Sequence, residues 1–382
     1  MIQSLKNTFF QLFKEEPFIV FAPGRINIIG EHTDYNNGYV LPAAIDKGIY
    51  IAAHRNEDGN INLFSIEYNE HYSCSIAEVS KTNIHWVNYV LGAIIELKHQ
   101  GYAMQGFNAV ITSNLPVGAG VSSSAALTSA VIFSLNQMFS LGVGRIAMAK
   151  LAQQVEHRFA GVNCGIMDMF TSLMGKENHA IQLDCRDLSY SYVPINLDSY
   201  VFVLMNTNVK HSLASTAYNQ RRKECEEGVA LVKLKYPEVR SLRDISLAML
   251  KECIPITSDI YKRCSCIVKE IGRVVSAVDA ISKKDLVSLG TLLYEAHDEL
   301  SHLYEVSCKE LDYLVDTVQQ MEGVIGARMM GGGFGGCTLN LIHKDFVSSI
   351  TTGIKASYEA DCKLPFHSFI VSIGDGVKLI SN

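Results

Sequence analysis

Apolar positions come in short runs of strand character near the start of the chain and change to a helical period further on. Residues 18–21, Phe-Ile-Val-Phe, form an apolar run that breaks at a Pro-Gly turn and predicts a strand. Residues 50–53 and 61–64 predict two more on either side of the turn Glu57-Asp58-Gly59-Asn60, a spacing that suits antiparallel pairing. Residues 86–97, 122–139 and 146–159 carry apolar side chains at helical spacing, with Gln153, Glu156 and His157 on the later turns of the last. Strands follow at 181–184 and 200–207. Residues 215–320 are mostly helical in pattern, and a glycine cluster then leads into an apolar strand at 337–342. Strands and helices mix without a strict βαβ rhythm. The expected class is α+β in two lobes, residues 1–200 and 201–382, with the division falling between 190 and 215.

Composition narrows the class of function. The chain has 382 residues, 48% apolar and 19% charged, and a formal net charge of −6. Those proportions exclude a disordered chain, a collagen-like repeat and a coiled coil. Mild acidity speaks against nucleic acid as a partner, which needs a basic patch. The basic cluster Gln220-Arg221-Arg222-Lys223 runs straight into Glu224, Glu226 and Glu227 and predicts a solvated helix face. Ten scattered cysteines without a C-x-x-C pair read as reduced thiols of a cytoplasmic protein. No apolar run precedes Lys6, so neither a signal peptide nor an anchor is expected. Residues 100–144 carry no charge, but Asn108, Asn114, Pro116, three consecutive serines and Gln137 interrupt them. A buried helix with a polar N-terminus is expected there rather than a membrane span. The expected molecule is soluble, with no membrane partner; the sequence leaves its oligomeric state open, with a monomer favoured.

Several motifs are decoys. Gly331-x-Gly333-x-x-Gly336 matches the dinucleotide fingerprint as a string, but it runs into a predicted strand, whereas the fingerprint must open a helix. Cys185-Arg186-Asp187-Leu188 imitates a protein-kinase catalytic loop, yet Tyr192 stands where the metal-binding Asn belongs. His297 and His302 are five apart, off the one-face spacing of a helical metal pair, and read as structural.

Three segments carry chemistry. Leu115-Pro116-Val117-Gly118-Ala119-Gly120-Val121-Ser122-Ser123-Ser124 is a small-residue turn before a helix. Its backbone N–H groups can make an anion nest facing the positive end of the helix dipole, and its hydroxyls can cap the helix or ligate Mg²⁺; an ordinary serine cap after a glycine turn fits equally well. Ala22-Pro23-Gly24-Arg25-Ile26-Asn27-Ile28-Ile29-Gly30-Glu31-His32-Thr33-Asp34-Tyr35-Asn36-Asn37-Gly38 crowds hydrogen-bonding groups into a loop after a strand and suits a polyhydroxylated ligand. In Glu156-His157-Arg158-Phe159-Ala160-Gly161-Val162-Asn163-Cys164-Gly165-Ile166-Met167-Asp168 a carboxylate sits among Met167, Met169 and Phe170, as a base of altered acidity would. Asp168 as a helix cap and Glu156 as a metal ligand are also open.

Together these segments resemble the galactokinases. The loop from Gly24 to Asn36 is similar to the galactokinase signature almost residue for residue, while 116–125 and 331–336 resemble motifs shared by the wider GHMP small-molecule kinases. Trp86-Val87-Asn88-Tyr89, Cys164-Gly165-Ile166-Met167-Asp168 and residues 208–218 are also galactokinase-like. The resemblance implies a two-lobed GHMP kinase fold: an N-terminal α/β lobe with a mixed sheet, a ferredoxin-like C-terminal lobe, and a cleft for ATP and sugar between them. It implies transfer of the γ-phosphate of ATP to the anomeric hydroxyl of α-D-galactose. Asp168 is then the base and Arg25 its catalytic neighbour. Glu31, His32, Thr33, Asp34, Gly165 and Tyr218 hold the sugar. Gly118, Ala119, Gly120, Val121, Ser122, Ser123 and Ser124 cradle the phosphates, with Ser65, Trp86 and Tyr89 also on the nucleotide; Ser124 and Glu156 ligate Mg²⁺. Two positions depart from the family pattern: Met169 stands where Gln is usual and Met330 where Thr is usual, each an apolar replacement of a hydrogen-bonding group. A kinase for a related sugar such as N-acetylgalactosamine, or a non-catalytic binder of galactose and ATP, is the alternative, and the unbroken serine loop with Asp168 and Glu156 favours the enzyme.

Overall fold

The computed structural model describes residues 1–116, 118–209 and 214–380. Val117 of the phosphate-loop segment and Lys210, His211, Ser212 and Leu213 of the galactokinase-like segment lie outside the described residues. The first lobe runs through α1 (Ile2–Phe13), β1 (Phe18–Asn27), β2 (Tyr39–Val40), β3 (Pro42–Arg55), β4 (Asn60–Ser65), β5 (Glu70–Ser75), α2 (His85–His99), β6 (Phe107–Ser113), α3 (Ser123–Phe139), α4 (Arg145–Val155), α5 (Met167–Met174), β7 (His179–Asp184) and β8 (Tyr190–Pro194). The second comprises β9 (Tyr200–Asn206), α6 (Ala214–Lys233), α7 (Leu247–Cys253), α8 (Asp259–Ser282), α9 (Leu286–His302), α10 (Lys309–Gln319), β10 (Val324–Met329), β11 (Cys337–His343), α11 (Val347–Cys362) and β12 (His367–Val371). A last strand, β13 (Lys378–Ile380), returns to the first lobe and pairs with β1.

The first-lobe sheet has the order β13-β1-β3-β6-β4-β5 and is mixed, because β4 runs parallel to β6 while the other pairs are antiparallel. Burial along β1 is almost continuous, as expected of a strand covered on both faces. One face carries α2, α3 and α5, whose apolar side chains form the main core with β1, β3 and β6. The charge-free residues 100–144 resolve into the strand β6 and the buried helix α3, joined by the glycine-serine turn. The second-lobe sheet, β10-β11-β9-β12, is antiparallel and backed by helices, which is the ferredoxin-like half expected. The glycine cluster runs into strand β11, so the dinucleotide-binding alternative fails on topology.

One element has no sequence expectation, and two expectations change. Residues 2–13 form a helix that Leu5, Phe9 and Phe13, spaced by four, dock against Ile19, Ala52 and Phe64 of the sheet. The expected division at 200/201 has an exception in β13, which lies in the first-lobe sheet. The helix expected over 146–159 stops at Val155 and continues as a π-helical turn over Glu156–Ala160. All ten cysteines are unpaired.

Candidate active site

β1 delivers the first functional side chain. A register shift between Pro23 and Arg25 re-aims the strand as it leaves the sheet. Arg25 N donates to Val121 O at 3.1 Å, so the strand and the glycine-serine loop are tied together. A Cβ on Gly24 would sit 2.6 Å from that same carbonyl, and only glycine permits the approach. The Arg25 guanidinium is buried. Its Nη1 donates to Gly120 O (2.6 Å), while Nε and Nη2 donate to Asp168 Oδ1 (2.9 Å) and Oδ2 (3.2 Å). Ser122 Oγ adds a third donor to the carboxylate, to Oδ2 at 2.5 Å. Asp168 is the second residue of α5, near a helix N-terminus that favours negative charge, and its side chain is 27% exposed to the cleft. Oδ1 keeps acceptor capacity beyond its bond to Arg25.

Serine capping of α3 is corrected by the structure. Ser122 occupies the N-cap position but is left-handed, with φ 60°, and makes no side-chain cap; its hydroxyl turns to Asp168 instead. Gly118 and Gly120 also have positive φ, and a Cβ on Gly118 would meet nothing, so the loop presents open backbone. A turn of this kind at a helix start can turn backbone N–H groups toward an anion. Behind it, Glu156 is the first residue of the π turn, a local irregularity common at functional sites. Burial pushes the Glu156 carboxyl up to about 7, and a hydrogen bond from Ser124 holds it back. Tyr89 lies beside both groups, its phenol pushed up by burial and by the Glu156 charge.

The loop between β1 and β2 supplies the opposite wall. His32 has φ 61°; Asn36 Nδ2 donates to its carbonyl, and its ring Nδ1 meets Tyr35 Oη at 2.8 Å. Its Nε2 is buried, and burial pushes the ring down to about 3, so the imidazole is neutral at ordinary pH. Burial and the neighbouring Asp168 charge push Asp34 up to about 6, although Tyr35 N–H and Met167 N–H both donate to it. A Cβ on Gly165 would lie 1.9 Å from the Asp34 carboxyl; the carboxylate occupies the space glycine leaves. Tyr218 stacks near His32 with ring centres 5.2 Å apart. The third-motif glycines close the site: Gly331 N–H donates to Glu31 Oε1 at 2.7 Å, and a Cβ on Gly331 would lie 3.3 Å from Gly120 O.

These groups surround one cavity of about 430 Å³, lined by Arg25, Glu31, His32, Asp34, Gly120, Ser124, Glu156, Gly165, Asp168 and Tyr218 together with Val162, Cys164, Met167, Met169 and residues 331–334. Thr33 is not among them. Its hydroxyl is turned away onto Gly30 O and Tyr39 O, because the tight loop needs those carbonyls satisfied. Ser65, Trp86 and Tyr89 also lie outside this cavity's lining, as do Gly118, Ala119, Val121, Ser122 and Ser123, and the Trp86 indole N–H is taken by Glu70. His297 is structural, as expected: its Nδ1 accepts from Met329 N–H and its Nε2 faces Asp312. Sequence reasoning missed the apolar lining at Val162 and Phe334, and it missed Arg328, which binds Glu31 from β10. A lone arginine beside Met329-Met330 was the available signal.

Comparison with known proteins fits this geometry. Residues 7–55 match the galactokinase galactose-binding signature, 88–176 the GHMP kinases N terminal domain and 277–359 the GHMP kinases C terminal domain. The chain is 40% identical to the galactokinase of Clostridium beijerinckii over 99% of each chain, and 41% identical to that of Staphylococcus carnosus over the whole of each. Its structure matches the Lactococcus lactis galactokinase complexed with galactose at TM-score 0.95 and 36% identity, covering 99% of this chain and all of that one. The Methanococcus jannaschii mevalonate kinase, at TM-score 0.68 and 19% identity over 95% of this chain and all of that one, shares the fold.

Proposed function

The chain belongs to the galactokinase family, and from that premise we propose that its cleft transfers the γ-phosphate of ATP to the anomeric hydroxyl of α-D-galactose. The observation that carries the reading is the junction of Arg25, Ser122 and Asp168, where the strand of the sugar loop, the phosphate loop and helix α5 meet within hydrogen-bonding distance. A sugar held by the Asp34–His32–Tyr218 wall presents its hydroxyl to Asp168, which takes the proton as the oxygen attacks phosphorus. Arg25, fixed by Gly120 and Asp168, offers positive charge where the phosphoryl group passes. Phosphoryl transfer asks chiefly for positioning and charge, and both are built into this junction.

Ser124 and Glu156 would hold the cation that accompanies ATP, for which we propose Mg²⁺. They are hard oxygen donors side by side in one cleft. Among the described residues no group of three or more His, Cys, Asp or Glu could form an all-protein cage. That donor set fits a cation bound through one carboxylate and substrate phosphates, where it neutralises phosphate charge. Met169 is buried in the cleft wall beside Asp168, whose carboxylate is already oriented by Arg25 and Ser122 without a polar group at position 169.

A coupled ADP-release assay across galactose, glucose, N-acetylgalactosamine, arabinose and mevalonate tests the reading. Galactose should give the highest kcat/KM. Equal turnover of glucose and galactose, or turnover of mevalonate alone, contradicts it.

A further inference from the structure

The sugar loop is held from behind by charged side chains of the second lobe that line no part of the cavity. Glu270, on α8, is wholly buried; its Oε1 accepts from Gly30 N–H (2.8 Å) and Glu31 N–H (3.3 Å). Its Oε2 accepts from Arg273 Nε at 2.6 Å, and Arg273 in turn reaches Glu299, which Lys269 also binds. Arg328, on β10, is equally buried. Its Nε donates to Ile28 O (2.8 Å), Nη2 to Asn27 O (2.9 Å) and Glu31 Oε1 (2.8 Å), and Nη1 to Met329 O (2.7 Å). A guanidinium thus takes the loop's carbonyls and a carboxylate its amides. Gly30, at φ 103°, allows α8 to come this close, since a Cβ there would lie 2.8 Å from Val274 Cγ2.

Two charges buried at this depth are costly unless every partner is in place. Here the partners are the backbone of residues 27–31, the segment immediately before His32 and Asp34. We propose that Glu270 and Arg328 are positioning residues for the sugar: they fix the backbone of residues 27–31 and, through it, the orientation of Glu31, His32 and Asp34 toward galactose. The proposal rests on the galactose reading above. It makes the sugar half of the cleft a joint product of both lobes, while the nucleotide half at residues 118–124 is free of this clamp.

Glu270→Gln and Arg328→Lys test it in the full-length protein. A glutamine must turn its NH₂ either toward two amide donors or toward the Arg273 guanidinium, so one set of contacts is lost with size unchanged. Lysine keeps the charge of Arg328 but cannot serve acceptors that lie in the fork of a guanidinium. We measure KM for galactose and for ATP, kcat, galactose binding by calorimetry without nucleotide, and MgADP binding by calorimetry without sugar. The expected result is a rise of at least about ten-fold in galactose KM and Kd, the scale of one lost buried hydrogen bond. ATP KM and the MgADP Kd should stay within about two-fold. Galactose and ATP constants that move in parallel, or a galactose KM unaltered in both variants, overturn the proposal. If Arg328→Lys fails to fold, Glu270→Gln decides alone, and its own failure to fold assigns the clamp to stability and not to the sugar. An unmodified protein that does not turn over galactose overturns the underlying reading instead.

Discussion

Asp168 can turn little, because Arg25 grips both its oxygens and Ser122 donates to one of them. Asp168→Asn keeps that shape and removes the proton acceptor. Turnover should fall by roughly 10²–10⁴-fold, the usual weight of a general base, with ATP binding by calorimetry almost unchanged. Glu156 makes a prediction in pH. With its carboxyl pushed up to about 7, the folded protein keeps a proton that the unfolded chain has already lost, from the ordinary 4.5 upward. The unfolded state therefore binds fewer protons across that window, and the contribution of Glu156 to stability declines as pH rises from about 4.5 through 7. Glu156→Gln should raise Tm at pH 8 and leave it near wild type at pH 4, while raising the Mg²⁺ concentration needed for half-maximal rate. Equal Tm changes at both pH values contradict this. Asp168 was legible in the sequence as a carboxylate in apolar company, and Glu156 as an acidic group on the helix before it. What each touches was not: the turn of Ser122 toward Asp168 depends on one left-handed residue, which no serine pattern announces.

The loops show what an element adds to its residues. Gly165 stood out only as part of a motif, and the fold gives its reason, since the Asp34 carboxylate fills the space of a side chain. Gly165→Ala must displace Asp34, so galactose KM should rise about ten-fold or more at little cost to ATP KM, read from steady-state kinetics. Met169→Gln tests the opposite case. Met169 is 1% exposed and adjoins a carboxylate already oriented, so the variant should keep activity within a few-fold and lose roughly 1–3 kcal/mol if its amide goes unpaired. A large gain in turnover with full stability, by assay and denaturant titration, contradicts that account. The segments proposed to hold sugar and phosphate could be picked out from composition because they crowd glycine, serine and charged residues together. The bulge at Pro23/Arg25 and the π turn at Glu156 could not, because tertiary packing sets them against the local period.

Across the whole molecule, the two lobes were visible as a change from mixed strands to charged helices, yet the contacts that join them were not. β13 pairs with β1 across almost the full chain length, and Arg328 reaches Glu31 over 297 residues; neither leaves a local periodic trace. Sugar choice belongs to this scale, since Asp34 and Tyr218 reach the cleft from different lobes. Galactose and glucose differ in the 4-hydroxyl, and a site that hydrogen-bonds the axial group leaves a buried partner unpaired when glucose enters. Asp34→Ala should therefore lower galactose activity and also narrow the galactose/glucose ratio of kcat/KM. An equal loss on both sugars makes Asp34 a support of the loop alone. The central claim, transfer to the anomeric hydroxyl of galactose, is tested most directly by following the reaction of galactose and ATP by phosphorus and proton NMR. The account predicts a single new phosphomonoester coupled to the anomeric proton of the α-sugar, formed in step with ADP. A phosphoester on the 6-hydroxyl, or ADP released without a sugar phosphate, contradicts it.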